Sequence, residues 1–352
     1  MLNFGLILMS DNPKESFSIL FWQHIIYWSI GFSLVFGEGK TQFIGSLENI
    51  FLKNTTIDSL SGTIPEYTFF SNTSSFFVAS TLICYLISKN RNYSIIASTL
   101  AIIPIKHWIW GGGRLAGGFG VWDAAGGLAI IFPAVILGII GMKEKQENNE
   151  EETDTETQKL KQLLAMFLIY IGILGFNSSS ALAPIGSAAS ALVYTNNSII
   201  GSFIGMKIFK LLENKKTELQ DLSDSLLTGL AASAAPSDNA SPIPGFLLSA
   251  TLSALNNYLV NRKDIDKKYK LPILFGATSA ISVLMVGILT SSKLLGTGHD
   301  GSTLFEDRIV GEIERALIIS QTKIQSLGLI SVAAFSSIIG LTVKTIQDKI
   351  KN

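Results

Sequence analysis

The sequence holds a single cysteine, Cys84, in 352 residues, so it can form no disulfide within the chain and offers no cysteine cluster to a metal. Charge is scarce as well. Asp, Glu, Lys and Arg make up 15% of the residues, against about 25% in an ordinary soluble domain. The 27 basic residues balance 27 acidic ones, which removes the general basic surplus that nucleic acid would attract. The three histidines, His24, His107 and His299, are scattered. There is no HExxH and no Gly-x-Ser-x-Gly, and Gly-Lys-Thr at 39–41 lacks the upstream glycine of a phosphate loop. Without paired groups placed for chemistry, the sequence argues against an enzyme and against a cofactor. The first nine residues also lack the charged start, long apolar segment and small-residue cleavage site of a secretory signal.

What the sequence has is apolar length. Hydrophobic residues are 47% of the chain and the mean hydropathy is +0.40. Runs of the size a bilayer requires, about 20 helical residues, recur at 18–37, 69–88, 93–110, 121–141, 160–180, 184–210, 219–235, 243–260, 271–292 and 312–342. An all-α integral membrane protein of about ten transmembrane helices is the expectation. Segments such as DSLLTGLAASAAP (224–236) are rich in small side chains that let helices approach closely, and belong inside a bundle. With the N-terminus in the cytoplasm and ten alternating spans, nineteen of the 27 Lys and Arg fall on the inner side. Seven fall outside (Lys40, Lys53, Lys106, Arg114, Lys293, Arg308, Arg315), and Lys323 lies within the last span. That asymmetry is the positive-inside pattern, and it predicts a multi-pass protein of the cell membrane with both termini cytoplasmic.

One polar stretch, MKEKQENNEEETDTETQKLKQ at 142–162, divides the spans into four and six within a single membrane domain, 1–352. It reads as a solvated acidic cytoplasmic linker; a docking site for a cytoplasmic regulatory protein is the alternative. On the other side GGGRLAGG (111–118), APSDNASPIPG (235–245) and LLGTGHDGSTLFEDR (294–308) have turn composition. Irregular backbone near membrane depth is tolerated where protein or a watery cavity covers it, which a pore mouth would provide.

WIWGGGRLAGGFGVWDAAGGLAIIFP (108–133) concentrates three Trp, eight Gly and one acid between two apolar runs. Asp123 stands where the fourth span begins. It suits a helix cap that accepts backbone N–H groups, and a buried carboxylate near a membrane entrance favours cations; both roles are compatible.

IPIKHWIWGGGRLAGGFGVWDAAGG (103–127) resembles the signature of the ammonium transporter and Rhesus channel family. GFSLVFGEG (31–39), ILGFNSSSAL (173–182), GLAASAAPSDNASPIPG (229–245) and LFGATSAISVLMVGILTSS (274–292) follow the family's order across nearly the whole chain. The resemblance implies an inverted-repeat bundle of eleven helices, assembled as homotrimers with one pore per subunit. Ten are matched here; GLILMSDN (5–12) is similar only to the inner end of the family's first helix. By the same resemblance the substrate is ammonium or ammonia, received at an outer vestibule where Trp110 and Ser180 match the family's Trp and Ser. Phe76 is the matching gate ring, with Phe70 or Phe77 in its place if the alignment slips, and Phe176 matches a second ring. Packing and interfacial anchoring remain the plain alternatives for these side chains.

Midway along the pore the family carries two facing histidines, and here the sequence departs. Ile131 takes the first position, and Phe275 or Thr278 the second, according to how the Phe-Gly pairs are superposed. A bare cation in such an apolar bore meets an idealised Born penalty on the order of 20 kcal/mol, whereas neutral ammonia forfeits only a few kcal/mol of hydrogen bonding. Two functions follow: passage of a small neutral solute through a histidine-free pore, or a non-conducting, ammonium-binding sensor or regulatory subunit.

Overall fold

The computed structural model describes residues 1–38, 41–56, 60–61, 64–142, 156–180, 187–238, 240–262, 264–289 and 312–351. Most of the acidic linker (143–155) and the Gly-Asp segment that carries His299 lie outside the described residues.

Helices begin where the sequence supplies a cap. After the short α1 (Leu2–Leu8), Asn12 accepts the Glu15 N–H at 3.2 Å and Pro13 takes the first helical position, so α2 (Pro13–Phe36) starts there. A two-residue ladder, β1 (Leu60–Ser61) with β2 (Ile64–Pro65), precedes α3 (Glu66–Ser88). Lys89 turns left-handed at φ 54°, and Asn90 then caps α4 (Arg91–Trp110) through the Tyr93 N–H. The apolar helices continue as α5 (Gly127–Gly141), α6 (Glu156–Ser180), α7 (Ser187–Leu212), α8 (Leu219–Ala234), α9 (Pro242–Val260), α10 (Lys267–Leu289) and the 40-residue α11 (Glu312–Lys351).

Among the described residues ten apolar rods, α2 to α11, thus fall in the ten runs read from the sequence, and the chain is an all-α membrane transporter fold. Six of them are by themselves long and apolar enough to cross a membrane: α2, α3, α6, α10, the stretch Arg91–Gly118 that contains α4, and Ile318–Ile350 within α11. The other four are short, or carry polar and small residues that neighbouring helices cover. In α8 every residue from Ser223 to Ala234 is buried, as its small side chains predict. Close packing of α7 on α9 depends on Gly205, where an added Cβ would lie 2.0 Å from the Ala250 carbonyl oxygen. The outside is apolar where a soluble protein would be charged. Along α2, Phe17, Phe21, Trp22, Ile25 and Trp28 are all exposed, a face suited to hydrocarbon.

Charge inside the bundle is paired at the end opposite Trp110. Glu218 and Asp221 form a capping box at the start of α8, and Asp221 also meets Lys210 of α7 at 2.7 Å, both side chains under 10% exposed. Lys270 reaches the buried Asp224 at 2.9 Å. Lys106 differs from all of these, and the reading that placed it among the outer charges needs correction: it is fully buried within the bundle, on α4.

Candidate functional site

The site is assembled around two interruptions in helical structure. Helix α4 ends at Trp110, and the N–H groups of Gly111 and Gly113 turn back to the His107 carbonyl at 3.0 Å each. His107 holds this corner by donating from Nδ1 to the Val35 carbonyl at 2.7 Å, so it is a structural fastener. His24 likewise bonds its own helix, through the Leu20 carbonyl at 2.9 Å. The chain then crosses to Asp123, whose neighbours Ala124 and Ala125 donate main-chain N–H bonds to Ala235 and Ala234, at the end of α8. The WDAAGG and AASAAPSD segments are therefore joined backbone to backbone. Helix α11 clamps the same loop: Gln325 exchanges hydrogen bonds with the Trp122 N–H and carbonyl at 2.9 and 2.7 Å.

Asp123 is buried and acts as the cap of α5. Its Oδ2 accepts the N–H groups of Leu128 and Ala129 at 2.9 and 2.7 Å, and Oδ1 accepts that of Gly126 at 3.2 Å. Gly126 is required between them: its φ is +90°, and an added Cβ would meet Ile130 at 2.4 Å. The main-chain carbonyl of Asp123 takes the Trp110 indole N–H at 2.8 Å. One residue thereby starts a helix and aims an indole, leaving Trp110 only its ring to offer a ligand.

These parts border a cavity of about 270 Å³ whose wall includes Trp110, Phe76, Asp123 and Ser180, along with Asn72 and Thr73. The structure thus brings together four side chains that lie more than a hundred residues apart at the extremes. Ser180 Oγ donates to the Asn177 carbonyl at 2.7 Å, so its lone pairs remain available to accept an N–H from a guest. Phe76 and Trp110 have ring centroids 5.7 Å apart, and Phe76 meets Phe176 at 3.8 Å. Of this pair, Phe76 is the ring that borders the cavity. Phe70 stacks on Tyr27 instead, and Phe77 packs against the same tyrosine.

Phe76 and Phe176 together border a second cavity of about 390 Å³, lined also by Leu2, Asn3 and Gly172. Ile131, Phe275 and Thr278 are buried, none of them borders either cavity, and Val135, one turn from Ile131, touches Gly276. Thr278 is also not a free hydroxyl, for Asn256 donates to it at 2.8 Å while donating to Thr228 at 3.0 Å. Among the described residues no group of three or more His, Cys, Asp or Glu is arranged to hold a metal ion.

Two features went unread in the sequence. Asn177 donates to Thr195 and Ser233 at 2.8 and 3.0 Å, tying α6 to α7 and α8 next to the cavity; separations of 18 and 56 residues left no local signal. The other is Lys106, one turn before Trp110. Its Nζ donates to Tyr27 Oη at 3.0 Å and to the Thr73 carbonyl at 2.7 Å, and lies 4.4 Å from the Tyr27 ring centroid and 5.7 Å from that of Trp110. A charged residue inside an apolar run is itself a signal of function, and here it was available at position 106.

Interrupted helices, an apolar exterior and a cavity bordered by both polar groups and aromatic rings fit a membrane transport protein. A family profile described as Ammonium Transporter Family matches residues 14–352, and the chain belongs to that family, which is made up of transporters and not enzymes. It is 27% identical over 334 residues to Ammonium transporter 1 of Dictyostelium discoideum, covering 89% of this chain and 69% of that protein. The Ammonium transporter of Bacillus subtilis is 28% identical over 244 residues, covering 66% of this chain, which spans only 60% of that relative's length. The crystal structure of Candida albicans Mep2 superposes with a TM-score of 0.80 over 99% of this chain and 81% of that one, at 19% identity.

Proposed function

We propose that the chain passes ammonium, in the form of ammonia, across the cell membrane, and that the Trp110 cavity is the entrance. The observation that supports this is the convergence of Trp110, Phe76, Asp123 and Ser180 on one cavity. A small cation on an indole face gains about 0.5–2 kcal/mol, the Ser180 hydroxyl accepts one N–H, and the Asp123 carboxylate is close by. The path continues past the Phe76 and Phe176 rings towards Ile131, Phe275 and Thr278. Through that apolar stretch a neutral molecule is favoured over its ion by many kcal/mol. The charge pattern supports cytoplasmic termini, the family resemblance supports a homotrimer, and the acidic segment 142–162 is a solvated cytoplasmic linker, with docking of a cytoplasmic regulatory protein as the alternative.

Stopped-flow alkalinisation of liposomes holding the purified protein tests the reading. On an ammonium jump the interior should turn alkaline faster than in empty liposomes, and Trp110→Leu should raise the half-saturating ammonium concentration about three- to tenfold, the loss of a cation–π contact. The contact between Phe76 and Phe176 favours a second reading, a binding subunit that does not conduct. Saturable ammonium binding with alkalinisation no faster than in empty liposomes selects that one.

A further inference from the structure

We propose that Lys106 is a specificity-determining residue: its ε-ammonium is an alkylammonium carried by the chain itself, which occupies the aromatic faces behind the vestibule and keeps free cations from settling there. The proposal rests on the entrance assignment above and extends it to the choice between ion and neutral molecule.

The geometry matches what a bound ammonium would require. Nζ has two acceptors, the Tyr27 hydroxyl and the Thr73 carbonyl, and two π faces, those of Tyr27 and Trp110. The Thr73 carbonyl can only accept, so Nζ is the donor there. Among the ion pairs of the described residues none includes Lys106, so no carboxylate cancels the charge at contact distance. Cations held at membrane depth by carbonyls and rings in this way are uncommon in spans and carry function. Thr73 and Trp110 are both wall residues of the vestibule. In its protonated form the lysine presents a positive charge to the cavity through the same indole that would attract a cation.

Repulsion between unit charges on either side of one indole, at an effective dielectric of about 20, weakens cation binding by about tenfold or more. That is comparable with what the indole contributes. Neutral ammonia feels no such repulsion. The vestibule then meets ammonium, holds it shallowly, and admits only the neutral molecule to the rings beyond.

Binding of methylammonium to the purified full-length protein, followed by tryptophan fluorescence in detergent, tests the proposal without any need for flux. Lys106→Gln, which retains a donor for the Thr73 carbonyl, and Lys106→Met should both tighten methylammonium binding about tenfold, while Lys106→Arg should match the unsubstituted protein. In liposomes on a solid-supported membrane, Lys106→Gln should also give an ammonium-evoked current that the unsubstituted protein does not. Unchanged affinity and no current in Lys106→Gln would overturn the proposal. If neither neutralised variant folds, the unsubstituted protein still decides the matter. It should prefer methylammonium over methanol, a neutral molecule with the same number of heavy atoms, by less than about tenfold, and a larger preference overturns the idea. Failure of the transport reading would show separately, as alkalinisation no faster than in empty liposomes for every variant.

Discussion

Asp123→Ala should reduce ammonia flux at least tenfold and destabilise the protein by about 3–6 kcal/mol. Three N–H groups, those of Gly126, Leu128 and Ala129, depend on its carboxylate at the buried start of α5. Hydrogen bonds to a charged group contribute about 1.5–3 kcal/mol each, and the contributions do not simply add. The Trp110 indole is held by the main chain of the same residue, so a slackened loop also lets the ring turn away from the cavity. Asp123→Asn keeps one carboxamide oxygen for the Leu128 and Ala129 N–H groups and should lie between alanine and the unsubstituted protein on both scales. Thermal unfolding in detergent and liposome alkalinisation read the two effects side by side. Asp123→Ala with flux within twofold of normal would show that the cap and the path are unrelated.

Phe176→Ala is expected to move stability and rate in opposite directions. The Phe176 and Phe76 ring centroids lie 3.8 Å apart, and both side chains are more than 90% buried. Removing a buried phenyl ring costs about 3–5 kcal/mol where the surroundings do not collapse. If the two rings are a closed door, flux per reconstituted protein should rise several-fold in spite of that loss. A folded Phe176→Ala protein whose flux drops to that of empty liposomes would instead make the ring a required wall of the path.

How far the sequence could be read depended on whether a signal was local. Trp110, the following glycine turn and Asp123 lie within fourteen residues of one another, so their motif carries its own geometry; the cap, the left-handed Gly126 and the indole bond are all short-range. Ser180 and Phe176 were marked by a second short motif, although only the fold could bring Ser180 to the cavity at Trp110 and Phe176 onto Phe76. The four rods that do not qualify as spans by themselves were found from their apolar and small residues, and the cover that makes them tolerable comes from neighbouring helices. Lys106 was missed because counting charges by side assigns every lysine near a helix end to water. A buried site with Tyr27 and Thr73, 79 and 33 residues away, has no imprint at that scale. The pairing of Asn256 with Thr228 and Thr278 was hidden for the same reason.

The entrance can be tested with one reactive position. Cys84 is the chain's only cysteine and is fully buried, so Ser180→Cys introduces a thiol that a methanethiosulfonate reagent can reach without competition. The measurement is ammonia flux in liposomes before and after complete modification, with the unsubstituted protein treated in parallel. Flux falling to the level of empty liposomes for Ser180→Cys alone is the predicted result. Undiminished flux through fully modified protein would contradict the placement of the path at Trp110 and Ser180.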